Sequence, residues 1–520
     1  MTPIQWLIFF IAMNIVHGAA TFKFYQKAGK PAWKAFVPFL NIYELMDVIN
    51  RPKWWLIFVY IPVVNLLMIP VLWVQLLKVF GKKDSKDIWL AILTLGLYLA
   101  YINYVEIDKL TYAPNHDDKE TFLGSIIFAV IAATIVHTYF IQPYTIPTPS
   151  LEKSLLVGDY LFVSKFHYGA RPPMTTVALP MVHDTIPLIK SRSYLKLPQL
   201  PYMRLPGFEK IKNNDIVVFN WPADTVEYFK VKGVPQYKPI DKKSHYVKRC
   251  VGIAGDSLQI INGVLYINGK KVTYPDRTKL QHYYLVKTKD GMDFTRQTLL
   301  RLVRNHNIKE IGLGNKKGEY IMNLTDEKLN IIKSMSNVAS VELSNSGKGR
   351  MFGGHKDWDI NNFGPIYIPK KGDVVQLNKE TFPFYKWIIA RYDDHDAGHK
   401  IDKHKVELKG NDVYVDGKLT KEYTVKQDYY WMMGDNRGNS EDSRFWGYVP
   451  FDHVVGKPVF IFMSIDNEPG KKFLDKIRWD RVFTTVSGSG KRVSYLWPFI
   501  GLILIYYFGK KLWNKKKKTQ

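Results

Sequence analysis

The feature that most constrains this chain is an apolar run at residues 122–141, FLGSIIFAVIAATIVHTYFI, which carries no acidic or basic residue apart from one histidine. About 20 residues at roughly 1.5 Å each span the roughly 30 Å hydrocarbon core of a bilayer. The sequence therefore predicts a transmembrane helix here. The chain that follows, from residue 143, is then expected to begin at a membrane surface.

Other apolar runs precede this one. Residues 54–77 and 88–105 have the same character, although two prolines and an asparagine could kink the first of them or make it re-entrant. The run at 4–20 is shorter and lacks the basic start of a cleavable signal peptide, so we interpret it as a retained anchor. Lysines at 78–86 fall in a loop that simple alternation places outside, so the number and orientation of the N-terminal spans stay open.

A further membrane helix is predicted at the other end of the chain. The apolar residues 493–508 are followed by lysines at 510, 511 and 515–518. Basic residues beside a span favour the cytoplasmic side. The block 143–492 is then expected on the extracytoplasmic face of the cytoplasmic membrane.

The formal net charge of +26 is typical of proteins that bind nucleic acid or lie against anionic lipid. Because several spans are predicted, we expect anionic membrane lipid as the partner and no nucleic acid. The single cysteine, Cys250, excludes an internal disulfide framework. Its place in a strand-like run predicts a buried, structural residue.

Between residues 159 and 466 short β-like runs alternate with turn residues, which predicts strands and hairpins. Residues 213–219 resemble 371–377, and residues 262–270 resemble 410–418. We predict two similar hairpin modules, which arose either by duplication or by convergence on common Asn-Gly and Asp-Gly turns.

The segment 294–346 differs from its surroundings. Apolar residues recur at helical spacing in 295–304 and in 326–335. We therefore predict an inserted α/β cap between the two β modules, and the sequence does not indicate what it binds.

Three segments of the soluble block carry candidate catalytic residues. In the first, Pro147 and Pro149 stiffen the backbone around Thr148 and hold the approach to Ser150 extended, and such rigidity suits a preorganised nucleophile. Taken alone, a serine in a proline-rich turn is more often a helix cap or a loop residue.

The second segment, residues 244–256, places Lys248 among apolar neighbours in a β-patterned run. Burial would lower the pKa of its ammonium, and a neutral amine can take the proton of a serine hydroxyl. A surface lysine beside Arg249 is the alternative interpretation.

The third segment, residues 433–450, alternates acids, arginines and small hydroxyl residues behind a run of aromatics. This pattern predicts a buried polar network that has to be fully paired. Asp442 with Arg437 or Arg444 is the expected ion pair. By itself, such a network can also be purely structural.

Together, the three segments resemble the bacterial signal peptidase I family, which are membrane-bound serine/lysine endopeptidases. The third match is long and is rarely met elsewhere. The residues that carry the resemblance are Ile146, Pro147, Thr148, Ser150, Leu155, Gly158 and Asp159 in the serine box, Tyr246 to Arg249 around the lysine, and Gly434, Asp435, Asn436, Arg437, Ser440, Asp442, Ser443, Arg444 and Gly447 in the third segment.

The resemblance implies roles for these residues. Ser150 would be the nucleophile and Lys248 the general base, whereas the Ser150 backbone N–H and the Thr148 hydroxyl would form the oxyanion hole. The serine box departs from the family pattern at Pro149 and Lys153, where the family commonly has glycine and proline.

Supporting roles follow from the same resemblance. Ser440 would orient the lysine, and Asp442 with Arg444 would support it. No metal or organic cofactor is expected. The polar loop 393–399 contains metal-type ligands, but they lie in one short stretch, and we interpret it as incidental.

The fold implied is a mainly β catalytic domain of the serine/lysine peptidase type, built of antiparallel sheets, with an inserted α/β cap and transmembrane α-helices at both ends. The function implied is cleavage of N-terminal signal peptides from exported preproteins through an acyl-enzyme. A non-catalytic membrane scaffold or receptor that keeps this fold is one alternative, and a serine/lysine protease of the self-cleaving repressor kind is another. The predicted segments are 1–121 (N-terminal membrane region), 122–142 (transmembrane helix), 143–275 (first part of the catalytic domain), 276–364 (cap), 365–492 (second part of the catalytic domain) and 493–520 (C-terminal helix and basic tail).

Overall fold

The computed structural model describes residues 3–61, 64–114, 122–225, 235–394, 400–472 and 474–519. Pro62 and most of the polar loop 393–399 lie outside these ranges. The chain divides into two compact units. One contains Met1–Phe140 and Arg171–Leu205, and the other contains Ile141–Ala170 and Pro206–Gln520.

The α-helices of the described residues are α1 (Pro3–Lys27), α2 (Leu40–Val48), α3 (Trp55–Tyr60), α4 (Asn65–Val79), α5 (Ser85–Leu93), α6 (Leu97–Tyr101), α7 (Phe122–Ile135), α8 (Arg296–His306), α9 (Asp326–Lys333), α10 (Phe382–Trp387), α11 (Ser443–Trp446) and α12 (Leu496–Thr519). The strands are β1 (Ile141–Thr145), β2 (Asp159–Ser164), β3 (Ile216–Asn220), β4 (His245–Gly252), β5 (Ser257–Ile261), β6 (Val264–Ile267), β7 (Lys270–Lys271), β8 (His282–Thr288), β9 (Ile311–Leu313), β10 (Glu319–Leu324), β11 (Val338–Leu343), β12 (Phe363–Tyr367), β13 (Val374–Gln376), β14 (Val406–Lys409), β15 (Asp412–Val415), β16 (Lys418–Leu419), β17 (Glu422–Thr424), β18 (Tyr429–Met433), β19 (Val449–Pro450), β20 (Val454–Ser464) and β21 (Thr484–Thr485).

The first unit is helical apart from the segment Arg171–Leu205. Among the described helices, Ile4–Lys27 is the single continuous one that is long and apolar enough to cross a bilayer. The apolar helix predicted at 122–141 is present as α7, which continues to Phe140, but its described apolar part, Phe128–Phe140, is shorter than a full span.

The run predicted as one span at 88–105 is broken. The helical segments Ser85–Leu93 and Leu97–Lys109 meet at an angle of 115°. The cause is a pair of consecutive residues with positive φ, Leu95 at +51° and Gly96 at +86°, because a residue in the left-handed region ends an α-helix. The Trp73 ring lies 2.7 Å from the position that a Cβ at Gly96 would occupy, so this site accommodates glycine only. The run 54–77 is likewise divided between α3 and α4.

The second unit is built on one large antiparallel sheet, as the sequence predicted. Its strand order is β1-β2-β20-β3-β4-β18-β19, with β21 paired to β20. The strands that carry the serine and lysine segments thus lie in the same sheet. An apolar core packs around the fully buried Trp431 of β18 and includes Val251, Leu258 and Phe363.

The predicted hairpins at 262–270 and 410–418 are present, whereas the other resembling pair differs, because β3 lies in the large sheet and β13 pairs with β17 in a separate two-stranded sheet. Strands β5, β6 and β7 form one three-stranded meander, and β14, β15 and β16 form the other. Each contains a two-residue turn with positive φ, Asn268-Gly269 in the first and Asp416-Gly417 in the second. Such turns match the twist of the strands that they join.

The segment between the modules forms a separate small α/β unit within the predicted cap. Its sheet has the order β11-β8-β10-β9 and packs with α8 and α9. Each helix begins at a threonine, Thr295 or Thr325, whose hydroxyl accepts a hydrogen bond from a backbone N–H three residues later. This is the usual N-cap arrangement.

Candidate active site

Ser150 lies in a short 3-10 turn, Pro149–Leu151, between β1 and β2. Its side chain is buried, with 6% exposure. The loop is closed at its base, where the Ile146 N–H donates to the Asp159 carbonyl at 2.9 Å and the Gly158 N–H donates to the Ile146 carbonyl at 3.0 Å. The turn is therefore fixed by main-chain hydrogen bonds at its base.

The third segment binds this turn directly. The Asn436 backbone N–H donates to the Ser150 carbonyl at 3.0 Å, and its side-chain Nδ2 donates to the Pro149 carbonyl at 3.1 Å. Asn436 is itself positioned by Asn323 of the cap, whose Nδ2 donates to Asn436 Oδ1 at 2.8 Å. The serine turn is thus connected to the third segment and to the cap.

Gly434 allows this close approach. A Cβ at Gly434 would lie 2.5 Å from the Ser150 carbonyl oxygen and 2.3 Å from Ser440 Oγ. The Ser150 carbonyl oxygen and Ser440 Oγ therefore both lie close to the Gly434 backbone, which places Ser440 beside the serine turn. Ser440 Oγ is buried and has no hydrogen-bond partner within the part of the chain that the structure describes.

Asp442 and Arg444 form a fully buried ion pair. Arg444 Nε and Nη2 donate to the two oxygens of Asp442, each at 2.9 Å. Burial alone would raise the pKa of the Asp442 carboxyl, but the Arg444 guanidinium, together with the Lys248 ammonium and the Gly434 N–H, holds the pKa below its usual value. Of the two expected partners, Arg444 forms the pair, whereas Arg437 donates to the Tyr274 hydroxyl at 3.0 Å.

Lys248 lies in β4, between β3 and β18 in the large sheet. It is 4% exposed. Burial lowers the pKa of its ammonium to about 8, and the nearby Asp442 carboxylate opposes this shift. The sequence predicted a buried lysine here, and a pKa of about 8 leaves a substantial fraction of neutral amine near neutral pH.

The residues that flank Lys248 are structural. Arg249 Nε and Nη2 donate to the two oxygens of Asp435 at 2.7 and 2.6 Å, a bidentate pair that joins β4 to the third segment. Cys250 is fully buried, and burial raises the pKa of its thiol well above the usual range. The sequence showed Arg249 only as a neighbour of the lysine, because nothing local indicates a partner 186 positions away.

Three arginines near the C-terminus also bind the serine segment, and the sequence did not reveal them. Arg478 Nη1 donates to the Val157 carbonyl at 3.0 Å, and Arg492 Nη2 donates to the Ser154 carbonyl at 2.7 Å. Arg481 forms a buried ion pair with Asp159, in which its Nε lies 3.0 Å from Oδ1. A cluster of arginines in an otherwise lysine-rich chain was the available signal.

Two residues of the serine box are less constrained. Thr148 is exposed and has an extended backbone, with φ −129° and ψ 152°. Lys153 has a left-handed φ of +68°. It forms no ion pair with Glu152 in the described structure; its ammonium lies 3.5 Å from the Asn307 carbonyl of the cap instead.

The protein shares sequence with two families. Residues 119–353 and 368–463 match the model of signal peptidase, peptidase S26. Residues 33–112, within the helical unit, match a family of unknown function (DUF5684). The first match covers more than half of the chain and includes all three candidate catalytic segments.

Similar proteins include several named signal peptidase I. That of Helicobacter pylori strain 26695 is 23% identical over 383 residues, which are 72% of this chain and 95% of that protein. That of Rickettsia felis is 24% identical over 374 residues, 69% of this chain and 90% of that protein. That of Buchnera aphidicola is 24% identical over 355 residues, 68% of this chain and 78% of that protein. The chain belongs to the signal peptidase family, peptidase S26.

Proposed function

We propose that this signal peptidase family member is a serine endopeptidase that removes N-terminal signal peptides from exported preproteins, with Ser150 as nucleophile and Lys248 as general base. The observation that carries the proposal is the burial of Lys248, with a pKa of about 8, beside the segment that binds the Ser150 turn. A lysine with its usual pKa would be almost fully protonated near neutral pH and could not act as a base.

The reaction is an acyl transfer in two stages. The neutral Lys248 amine takes the Ser150 hydroxyl proton as the serine oxygen attacks the scissile carbonyl carbon. The tetrahedral intermediate collapses, the peptide C–N bond breaks, and the lysine ammonium protonates the departing amine of the mature protein. Lys248 then takes a proton from a water molecule as the water oxygen attacks the ester carbonyl. The ester C–O bond breaks, the lysine ammonium returns the proton to the Ser150 oxygen, and the signal peptide leaves with a free carboxylate.

The remaining site residues have supporting roles in this proposal. The Ser150 backbone N–H and the Thr148 hydroxyl stabilise the oxyanion of the tetrahedral intermediate. Ser440 orients Lys248, and its buried oxygen is available to accept a hydrogen bond from the amine. The Asp442–Arg444 pair supports this arrangement, because Asp442 also accepts from the Gly434 N–H at 3.1 Å and so fixes the backbone against which Ser440 lies.

We further propose that the protein is a multi-pass protein of the cytoplasmic membrane, with its catalytic unit on the extracytoplasmic side. The apolar helix Ile4–Lys27 supports anchoring at the N-terminal end. At the other end, α12 begins in apolar residues and ends in lysines, a pattern that favours a cytoplasmic tail. Anionic lipid is the expected membrane partner of the net positive charge.

Cleavage of a model preprotein by the detergent-solubilised full-length protein tests the proposal. Ser150→Ala and Lys248→Ala are each expected to lower the rate by at least a thousandfold, because each removes a reacting group. Ser257→Ala and Lys271→Ala are matched controls, since both residues are exposed on the first meander. Wild-type rates in the Ser150 and Lys248 variants would show that this dyad does not catalyse cleavage and would favour a non-catalytic scaffold.

A further inference from the structure

Residues 171–205 form an antiparallel hairpin, referred to below as the apolar hairpin. Its two arms are paired at Thr175 and Gln199, at Ala178 and Tyr194, and at Thr185 and Arg192. Main-chain hydrogen bonds join the arms along their length, including Leu179 N–H to the Ser193 carbonyl and Leu195 N–H to the Val177 carbonyl, both at 2.9 Å. The hairpin is therefore an ordered element with a defined tip at 186–190.

The apolar hairpin is inserted in the catalytic sequence but packs with the helical unit. It belongs to the same compact unit as Met1–Phe140. The indole Nε1 of Trp6 donates to the Gln199 carbonyl at 2.9 Å. Trp6 lies near the start of α1, the helix that is long and apolar enough to cross a bilayer. One end of this candidate span therefore contacts the base of the hairpin.

The surface of the hairpin is unusually apolar. At the tip, Leu188 is 95% exposed and Ile189 is 73% exposed. Large apolar side chains exposed together mark an interaction surface rather than one that faces water alone. The other large apolar residues exposed on the hairpin are Val177, Leu179, Met181, Leu195, Leu197, Met203 and Leu205.

The hairpin is also basic. It contains five arginines and lysines and one aspartate, for a formal charge of +4. Apolar side chains beside basic ones are typical of elements that lie in the headgroup region of an anionic bilayer. The contact with α1 favours this occupant, because a bilayer crossed by α1 would end next to the hairpin.

From these observations we infer that the apolar hairpin is a membrane-surface element, whose tip inserts Leu188 and Ile189 among the headgroups and upper acyl chains of anionic phospholipid. This inference concerns the helical unit and does not depend on the proposed catalytic mechanism. The proposed binding partner of the apolar hairpin is lipid. Binding of a protein partner instead would give a different experimental result.

Depth-dependent fluorescence quenching tests this inference on the full-length protein. A single cysteine replaces Leu188, and an environment-sensitive dye is attached, whereas Cys250 is buried and is not expected to react. The protein is placed in vesicles of phosphatidylcholine and phosphatidylglycerol that contain lipid spin-labelled near the headgroup. Leu313, which is 79% exposed on the cap, provides the matched control position.

We expect spin-labelled lipid to quench the dye at position 188 at least twice as strongly as the dye at position 313. Equal quenching at the two positions would overturn the inference. An unquenched dye at position 188 would also overturn it, and this is the result expected if the hairpin binds a protein partner instead of lipid. A dye at Met181, in a protein carrying Leu188→Asp and Ile189→Asp, should lose at least half of the quenching that it shows in the otherwise unchanged protein. Undiminished quenching there would mean that these two side chains do not hold the hairpin in the membrane.

Different experimental results would contradict the hairpin inference and the proposed catalytic function. Cleavage of a short water-soluble peptide by the double aspartate variant reports on the catalytic unit and should equal that of the wild type. A protein that cleaves this peptide but shows no quenching at position 188 would contradict the hairpin inference alone. A protein that shows quenching but no cleavage would contradict the proposed function alone.

Discussion

The Asn436 backbone N–H donates a hydrogen bond to the carbonyl of Ser150 at 3.0 Å, and the Asn436 side chain donates to the preceding carbonyl at 3.1 Å. Replacing Asn436 with alanine removes the second of these bonds and leaves the Pro149 carbonyl without its donor. A lost hydrogen bond of this kind costs about 1–3 kcal/mol. We therefore expect kcat to fall roughly tenfold to a hundredfold on a model preprotein, with Asn411→Ala, an exposed asparagine, unchanged. Equal kcat values in the two variants would contradict this role.

Gly434 should tolerate no side chain. A methyl group there would lie 2.5 Å from the Ser150 carbonyl oxygen, which displaces the serine turn. A shift of about 1 Å in a catalytic group can cost on the order of a hundredfold in rate, so Gly434→Ala should be at least that impaired. Gly312→Ala is the control, because its nearest contact would be at 3.8 Å. The measurement is the single-turnover cleavage rate, and a normal rate for Gly434→Ala would refute the close approach.

Activity should depend on pH through Lys248. In the proposed mechanism the base acts when neutral, so the protonated lysine that predominates below its pKa of about 8 should be inactive. We expect kcat/KM to rise about tenfold per pH unit below that value and to level off above it. The measurement is a pH profile of kcat/KM on a peptide substrate without titratable groups. A profile that still rises steeply above pH 10 would mean that the amine is not buried during catalysis.

Asp442→Asn should destabilise the catalytic unit. The change leaves the Arg444 guanidinium, which is fully buried, without a counter-charge. Breaking a buried pair in this way costs about 3–5 kcal/mol, so thermal unfolding should begin several degrees lower. Asp412→Asn, at an exposed position of β15, should melt like the wild type. Indistinguishable melting of the two variants would show that the Asp442–Arg444 pair adds no net stability.

Arg492 should help to position the serine turn, although it lies far from that turn in sequence. Its guanidinium donates to the Ser154 carbonyl at 2.7 Å and to the Thr485 carbonyl at 2.8 Å. We expect Arg492→Ala to lower kcat about tenfold with little change in KM, and Arg492→Lys to recover part of the loss, because a single ammonium can replace one of these bonds. Lys491→Ala, at an exposed neighbour, should have no effect. An increase in KM alone would contradict a positioning role.

The three segments of the candidate site could be proposed from the sequence because their residue patterns are local. A serine that follows two prolines, a lysine in an apolar run and a dense polar segment are each visible in one short stretch of sequence. The bonds that connect these segments are not local. Arg249 meets Asp435 and Arg481 meets Asp159 only after the large sheet has formed, and no local pattern predicts which strands pair.

In the membrane region, the sequence predicted which residues are apolar but not where the helices break. Hydropathy reports how apolar a run is and does not report the path of its backbone. The break between α5 and α6 depends on two left-handed residues, Leu95 and Gly96, and on the Trp73 ring that fills the space beside Gly96. The glycine was visible in the sequence, but its conformation was not.

The C-terminal arginines limit how the enzyme can be shortened for structural work or inhibitor screening. The region matched to the peptidase family ends at residue 463, which would be the natural point to cut when designing a water-soluble form. Such a form would lack Arg478, Arg481 and Arg492, and the loop that carries Ser150 would lose three of its supports. A useful soluble form should therefore end after Arg492 and before α12, so that inhibitors are selected against the proposed nucleophile, Ser150, with its loop in the native position.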